Sequence, residues 1–303
     1  MASDRIIQLA RNLSDLSTKA EAKAFATSGW GSEKLDGVWV AAVCTKSDVK
    51  FFSSTLEEYI SLSGTQLETD ILKCPTDMVL IGEAYHPDLE QAVVSGLCRK
   101  EVRGHANEVQ FHCHDILTTA EWKDMRSVRR YKDRLRQLAK HITPTAKLKV
   151  IPQHVIKSVV ELRALAHTIQ QRGGEGACYR PDDAGWVSGD RGTNLIRDKE
   201  KITFDLEAIG VAGVATGPKG GLLGTLQVKW KRGGVPTGEP CTQDIRGMSH
   251  DELRAWHADP SLIAGKIVQV EAMKFTAYGM LREPRFKCVR EDKKISDLEI
   301  QPL

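Results

Sequence analysis

The sequence has no apolar run near the ~20 residues that a membrane-spanning helix requires. Its first residues, "MASDRIIQLARNL", place charges inside the apolar stretch and so lack the core of a signal peptide. A cytoplasmic protein is the expectation. CxxC pairs are absent too, and the seven cysteines (Cys44, Cys74, Cys98, Cys113, Cys178, Cys241 and Cys288) stand singly. That spacing excludes a zinc ribbon or dithiol redox motif and suits reduced thiols. "FHCHD" resembles a metal site only until strand alternation is applied: His112 and His114 then share one face while Cys113 turns away. No second ligand pair stands nearby. GxxxxGK[ST] is missing, since "GPKGG" does not satisfy it, and P-loop ATP hydrolysis goes with it. Internal repeats and low-complexity linkers are also lacking.

What is present fits an ordinary globular chain. A hydrophobic content of 41% and a charged content of 27% leave no disordered or collagen-like bias, and 303 residues suffice for two cores. Net charge is only +3, but Lys and Arg concentrate in "RSVRRYKDRLRQLAKH" (126–141) and "TLQVKWKRGG" (225–234). Basic patches on a nearly neutral protein suit a polyanion such as nucleic acid, and a solvated helix face explains the first equally well.

Along the chain, Ser3 caps a predicted first helix with Ile6, Leu9, Ala10 and Leu13 on one face. Strands follow from residue 37: "GVWVAAVC", "VKFFSS", "MVLIGEAY" and "EVQFHCHDIL". "YKDRLRQLAKHI" reads as an amphipathic helix. Another runs near 158–171, with Ser158 and Glu161 as a capping box, Val155, Val159, Leu162 and Ile169 as its stripe, and Gly173-Gly174 as its stop. After residue 205 glycines cluster, and strands with one short helix, "SHDELRAWHA", predict a small antiparallel barrel. The expected division is 1–204 and 205–303.

The chemistry-bearing pieces occur in a fixed order. Lys34-Leu35-Asp36-Gly37 comes first, then "LIGEAYH" with Glu83, "FHCHDIL" with Phe111, "GGEGACYR" with Glu175, "LIRDKEKITFDLEAIG" with Arg197 and Lys199, and "VREDK" with Arg290 and Lys293. In that order and spacing they resemble the covalent nucleotidyltransferase superfamily, and within it the ATP-dependent DNA ligases of the small bacteriophage type. The resemblance spans residues 30 to 293. It implies an α+β fold: a nucleotidyltransferase (adenylation) domain of mixed sheets and helices, followed by an all-β barrel of OB type.

A lysine amine attacks phosphorus only when neutral, and at a pKa of ~10.4 only on the order of a few molecules in ten thousand are neutral at pH 7. Lowering that pKa to about 8 takes roughly 3 kcal/mol of differential interaction. Arg197 and Lys199, two apart on a strand, offer two cations on one face for an α-phosphate. By the resemblance, Lys34 attacks ATP to give lysyl-AMP, AMP passes to the 5′-phosphate of a DNA nick, and the 3′-hydroxyl displaces it. Glu83, Glu175 and Asp36 would hold Mg²⁺, Phe111 would stack on adenine, and the Glu33 carbonyl would meet the adenine amino group. Arg290 and Lys293, with Asp292 between them, would reach the triphosphate when the barrel swings over the site. Nicked duplex DNA would be gripped by Arg129, Arg130 and Arg134 on the basic helix and by Lys229, Lys231 and Arg232 on the barrel. A monomer without a separate DNA-binding domain is expected.

Two positions depart from the family pattern. Trp39 stands where KxDGxR usually ends in arginine, and Ser54 where Ser-Arg is usual. Two alternatives therefore stay open: an RNA ligase or RNA-capping guanylyltransferase, and a catalytically degenerate nucleic-acid-binding protein of the same fold. "KLDG" and the ending "LREPRFKCVREDK" look like DNA ligase more than either.

Overall fold

The computed structural model describes residues 6–199, 202–216, 222–230, 241–273, 275 and 279–298. It divides into two compact units, Met1–Lys199 and Glu200–Leu303. No helix among the described residues is long and apolar enough to cross a membrane.

The first unit is built on two five-stranded sheets. One orders its strands Arg11–Asn12, Ile196–Lys199, Gly176–Pro181, Gly29–Glu33 and Gln153–Ile156. The helix Val159–Gln171 covers one of its faces, packing Leu162, Ala166 and Ile169 against Ala177, Tyr179 and Ile196. Ser158 caps that helix by accepting from the Glu161 N–H, but the Glu161 carboxylate reaches back to the Lys157 N–H instead of closing a reciprocal box. Val155 sits on the preceding strand and is exposed, so Ala166 takes its place in the buried stripe.

The other sheet orders Val49–Phe52, Val38–Cys44, Met78–Tyr85, Gln110–Thr118 and Leu148–Val150. β-branched and aromatic residues at alternate positions bury one face under the helices Gln66–Ile71, Gln91–Cys98 and Tyr131–His141, with Val40, Phe51, Leu80, Phe111 and Ile116 fully enclosed. On the opposite face Ala41, Val79, Ile81 and Leu117 meet Trp122 and Trp186.

The N-terminal segment is not the helix its apolar spacing predicts. Its described part runs extended, with Ile6, Leu9 and Arg11 donating to Ser54, Asp190 and Leu195, and ends as a short strand parallel to Ile196–Lys199. Partners supplied by distant loops outweigh a helical period carried by a few residues.

In the second unit one antiparallel sheet has the order Cys241–Ile245, Leu222–Trp230, Ile202–Thr216, Ile267–Ala272, Arg285–Val289. Its inner face, with Leu206, Leu226, Val228, Val268 and Val270, packs on Trp256 of the helix His250–Ala258, which carries a full Ser249/Glu252 capping box. The architecture is OB-like. Its described edges meet through one bridge, Arg246 with Arg285, so the predicted barrel is not closed by a continuous ladder there.

Candidate active site

Strand register decides which side chains share a face. Antiparallel partners point to the same side of a sheet. Cys178 pairs with both Ser32 and Arg197, Arg180 with Trp30, and Gly176 with Lys199. Trp30, Ser32, Cys178, Arg180, Arg197 and Lys199 therefore lie on the face away from the helix Val159–Gln171. Lys34 continues that alternation, its N–H bonded to the Gly176 carbonyl at 2.8 Å. Glu33 points the other way, its carboxylate receiving the Arg172 guanidinium.

Facing this layer, Glu83 sits in the second sheet opposite Trp39 and His112. Gly37 is confined by that strand: a Cβ there would lie 2.7 Å from the Ala84 carbonyl oxygen. The glycine of the KxDG run thus serves close packing beside Glu83. Gly176 has the same duty beside Glu175. Its φ of +145° and a Cβ that would fall 2.2 Å from the Asp198 carbonyl leave no room for another residue.

Lys34 Nζ donates to Glu175, and Lys199 Nζ lies 3.7 Å from the other oxygen of the same carboxylate. The Glu175 and Lys199 side chains are under a tenth exposed. Burial presses the Lys34 pKa down, but the carboxylate of Glu175, with Cys178 and Glu83, outweighs it and holds the ammonium above its ordinary value. The cations foreseen from sequence do not depress it in this state, because Glu175 stands between Lys34 and Lys199. Glu83 is pushed up to about 7 by burial first; Lys34 and Arg180 oppose the rise, and Glu175 and Asp36 add to it. Arg197 donates through Nε to Asn12 Oδ1 at 2.7 Å, which orients it from the neighbouring strand.

Lys34, Asp36, Glu83, Glu175, Arg197 and Lys199 are thus drawn into one region from the two sheets. Phe111 is not. It is fully buried in the hydrophobic core, opposite Ala84, and has no surface to offer a base. A bulge between Ile81 and Gly82 shifts the pairing, and His114 on the same strand meets the site layer instead, its Nδ1 3.3 Å from the Arg180 guanidinium. Burial, then Arg180, lowers the His114 pKa to about 3 and keeps the ring neutral.

Arg134 also departs from expectation. It is fully buried and bidentate to Asp115 at 2.7 and 3.0 Å, with the Arg129 and Ala184 carbonyls taking Nη1. With the side chain fully buried and four of its five N–H donors engaged inside the fold, its role is internal. Arg129 is spent largely on Glu121, Gln137 and the Ile116 carbonyl. Arg130 is exposed, its side chain donating to Asp133. Lys229 pairs with Glu207 at 2.8 Å, and Lys231 and Arg232 lie outside the described residues. In the second unit Arg290 and Lys293 share one acceptor, Asp205, at 3.2 and 2.6 Å.

Sequence reasoning gave Cys178, His114 and Gln153 no role at this site. Only the register, with alternation along "EGACYR", brings Cys178 and Arg180 to the lysine face, and a bulge is invisible in a single sequence.

Residues 8–199 match the family model for the ATP dependent DNA ligase domain. Among solved structures, a chain named Pmar-Lig_PreS3 superposes with a TM-score of 0.75 at 19% identity, covering 94% of this chain and 67% of that one. A chain from a structure-function analysis of Lig E DNA ligases gives a TM-score of 0.66 at 21% identity, over 94% and 98% of the two chains. These likenesses establish the fold. No curated protein matches the sequence.

Proposed function

The chain belongs to the ATP-dependent DNA ligase family, and from that premise we propose that its strand joining runs through Lys34. Nζ attacks the α-phosphorus of ATP and expels pyrophosphate, leaving AMP on the lysine as a phosphoramidate. The 5′-phosphate of a nick then takes the AMP and frees Lys34. Attack by the adjacent 3′-hydroxyl releases AMP and closes the phosphodiester.

The observation that carries this reading is the ion-paired triad of Lys34, Glu175 and Lys199 beside Glu83. As an ammonium, Lys34 has no lone pair for attack, so Glu175 keeps it unreactive until a cation arriving with the triphosphate competes for that carboxylate. Lys199 and Arg197 are assigned to the α-phosphate, where developing negative charge needs fixed cations. Arg290 and Lys293 are assigned to the departing pyrophosphate.

Mg²⁺ is tested by the donor set. Glu83 resists ionisation first because it is buried, and Glu175 and Asp36 add to that against Lys34 and Arg180; a divalent cation would favour its charged form. Among the described residues no three such side chains converge to hold a metal alone. That fits Mg²⁺, which commonly takes one or two carboxylates and completes its shell with phosphate oxygens and water. Glu83 and Glu175 would hold it, with Asp36 beside them, and bound there it would neutralise phosphate charge.

Arg130 and Lys229 remain candidates for duplex phosphates, with Lys231 and Arg232 beyond the described residues. Free thiols at all seven cysteines suit a reducing, cytoplasmic setting, and a monomer is the simplest working form. Incubation with Mg²⁺ and α-labelled ATP, followed by denaturing electrophoresis, tests the proposal. A labelled band that Lys34→Ala removes supports it, and a band surviving the substitution overturns it.

A further inference from the structure

Five buried side-chain polar atoms among the described residues have no hydrogen-bond partner: Gln8 Oε1, Trp30 Nε1, Gln153 Oε1, Arg180 Nε and Trp230 Nε1. Three of them, on Trp30, Gln153 and Arg180, lie on one face of one sheet. Trp30 pairs with Arg180, and Ser32, two residues on, pairs with Gln153 and Cys178. That is the face of Lys34. Unpaired buried polar atoms are rare and costly, so a cluster of them beside a nucleophile marks where a ligand's polar edge belongs.

Gln153 is informative because its orientation is fixed. Its Nε2 donates to the Ile151 carbonyl at 3.3 Å, and turning the amide over would set two oxygens against each other. Oε1 therefore stays an acceptor without a donor. A second acceptor lies next to it. The bond from Lys34 N–H to the Gly176 carbonyl turns the backbone polar groups of Glu33 towards the strand Gln153–Ile156. One step beyond the Ser32–Gln153 pair, the register sets Glu33 against Pro152, which has no N–H to give. The ladder ends there, and the Glu33 carbonyl receives no bond from that strand.

We propose that Gln153 is the base-selecting residue of the ATP site, its side-chain oxygen joining the Glu33 carbonyl as a pair of acceptors for the exocyclic amino group of adenine. An amino group brings two hydrogens to two acceptors. Guanine presents an oxygen at the same position, which opposes both. The inference rests on the ligase reading of Lys34, and its test separates the two.

The measurement is the block of Lys34 labelling from α-labelled ATP by unlabelled competitors: ATP, GTP, and purine riboside triphosphate, which lacks the amino group and adds no bulk. Wild-type protein should prefer ATP over purine riboside triphosphate by tenfold or more, about what one or two hydrogen bonds supply. Gln153→Met, which keeps length and removes the acceptor, should shrink that preference about tenfold. Gln153→Glu, which keeps an acceptor, should preserve most of it. Equal competition by ATP and purine riboside triphosphate in the wild type overturns the proposal without recourse to any variant. So does an unchanged preference in Gln153→Met. Absence of any label from ATP in the wild type would instead remove the Lys34 reading on which the proposal stands.

Discussion

Lys34 and Glu175, 141 positions apart in the chain, form a half-buried ion pair whose carboxylate also neighbours Lys199. The strand Gly29–Glu33 delivers the lysine, and the turn after the helix Val159–Gln171 delivers the glutamate, stopped by Gly173 with φ +88°. In the proposed mechanism the pairing stores Lys34 as its inert conjugate acid. Chemistry then depends on what draws Glu175 away, and a phosphate-bound cation is suited to that.

A pH profile follows from this. Burial lowers the Lys34 pKa, but Glu175 and its neighbours raise it overall, so single-turnover formation of the AMP adduct should climb with pH through the neutral and alkaline range. Glu175→Gln removes the leading carboxylate and should move the rising limb to lower pH, even where the maximal rate falls. An unmoved limb would mean that Glu175 does not set the lysine's protonation.

Glu83 gives a stability test in metal-free protein. Its carboxyl titrates near 4.5 when unperturbed and at about 7 in the fold, mainly through burial. The folded state therefore keeps a proton that the unfolded chain has lost, and stability from this group declines as pH rises from 4.5 to about 7. Glu83→Gln cannot lose that proton. Its unfolding midpoint at pH 8 should exceed the wild type's by ~2 °C or more, with the gap closing towards pH 4. Thermal unfolding across that range checks both ends.

The sequence made much of this legible and hid the rest for identifiable reasons. Short β-branched runs and the stretch "SHDELRAWHA" are local signals, and they matched the strands and the last helix. Lys34, Glu83, Glu175 and Lys199 were each marked by a motif that survives without knowledge of neighbours. Phe111 was misplaced because an aromatic on a strand gives no hint of which face is buried; it alternates in step with Cys113, on the core side. Arg134 was misplaced because a basic helix reads as solvated until its partner, Asp115, is found 19 residues away. Gln153 stayed hidden because its meaning lies in the register with Ser32, a pairing across the sheet.

Arg290 and Lys293 provide a test confined to one step. Both are held on Asp205, and the pair is assigned to the triphosphate. Removing both cations (Arg290→Ala with Lys293→Ala) should slow self-adenylylation by about 10²-fold or more, the usual cost of losing a preorganised charge on a leaving group. Sealing of nicks supplied already adenylated should fall far less, because no pyrophosphate departs there. Equal losses in the two assays would refute the assignment.

The basic helix separates an internal arginine from a surface one. Arg134 and Asp115 are both fully buried, so Arg134→Met leaves an uncompensated carboxylate and should cost about 3–5 kcal/mol. Pairing it with Asp115→Leu should recover much of that, since apolar residues replace a buried ion pair with little loss. Burial raises the Asp115 pKa, but Arg134 outweighs it and holds the carboxyl below its ordinary value. The pair's contribution is therefore present above the unfolded pKa near 3.8 and lost as pH falls through the folded one, so wild type and Arg134→Met converge in acid. Arg130→Ala should leave stability nearly unchanged, since that side chain is exposed. If Arg130 meets a phosphate, its removal weakens binding to nicked duplex and flattens the dependence on log salt by about 0.9 for each phosphate no longer neutralised. Denaturant unfolding and salt-titrated binding, run on both variants, assign each arginine to its class of work. A stable Arg134→Met protein with a flattened salt slope would restore Arg134 to the DNA surface.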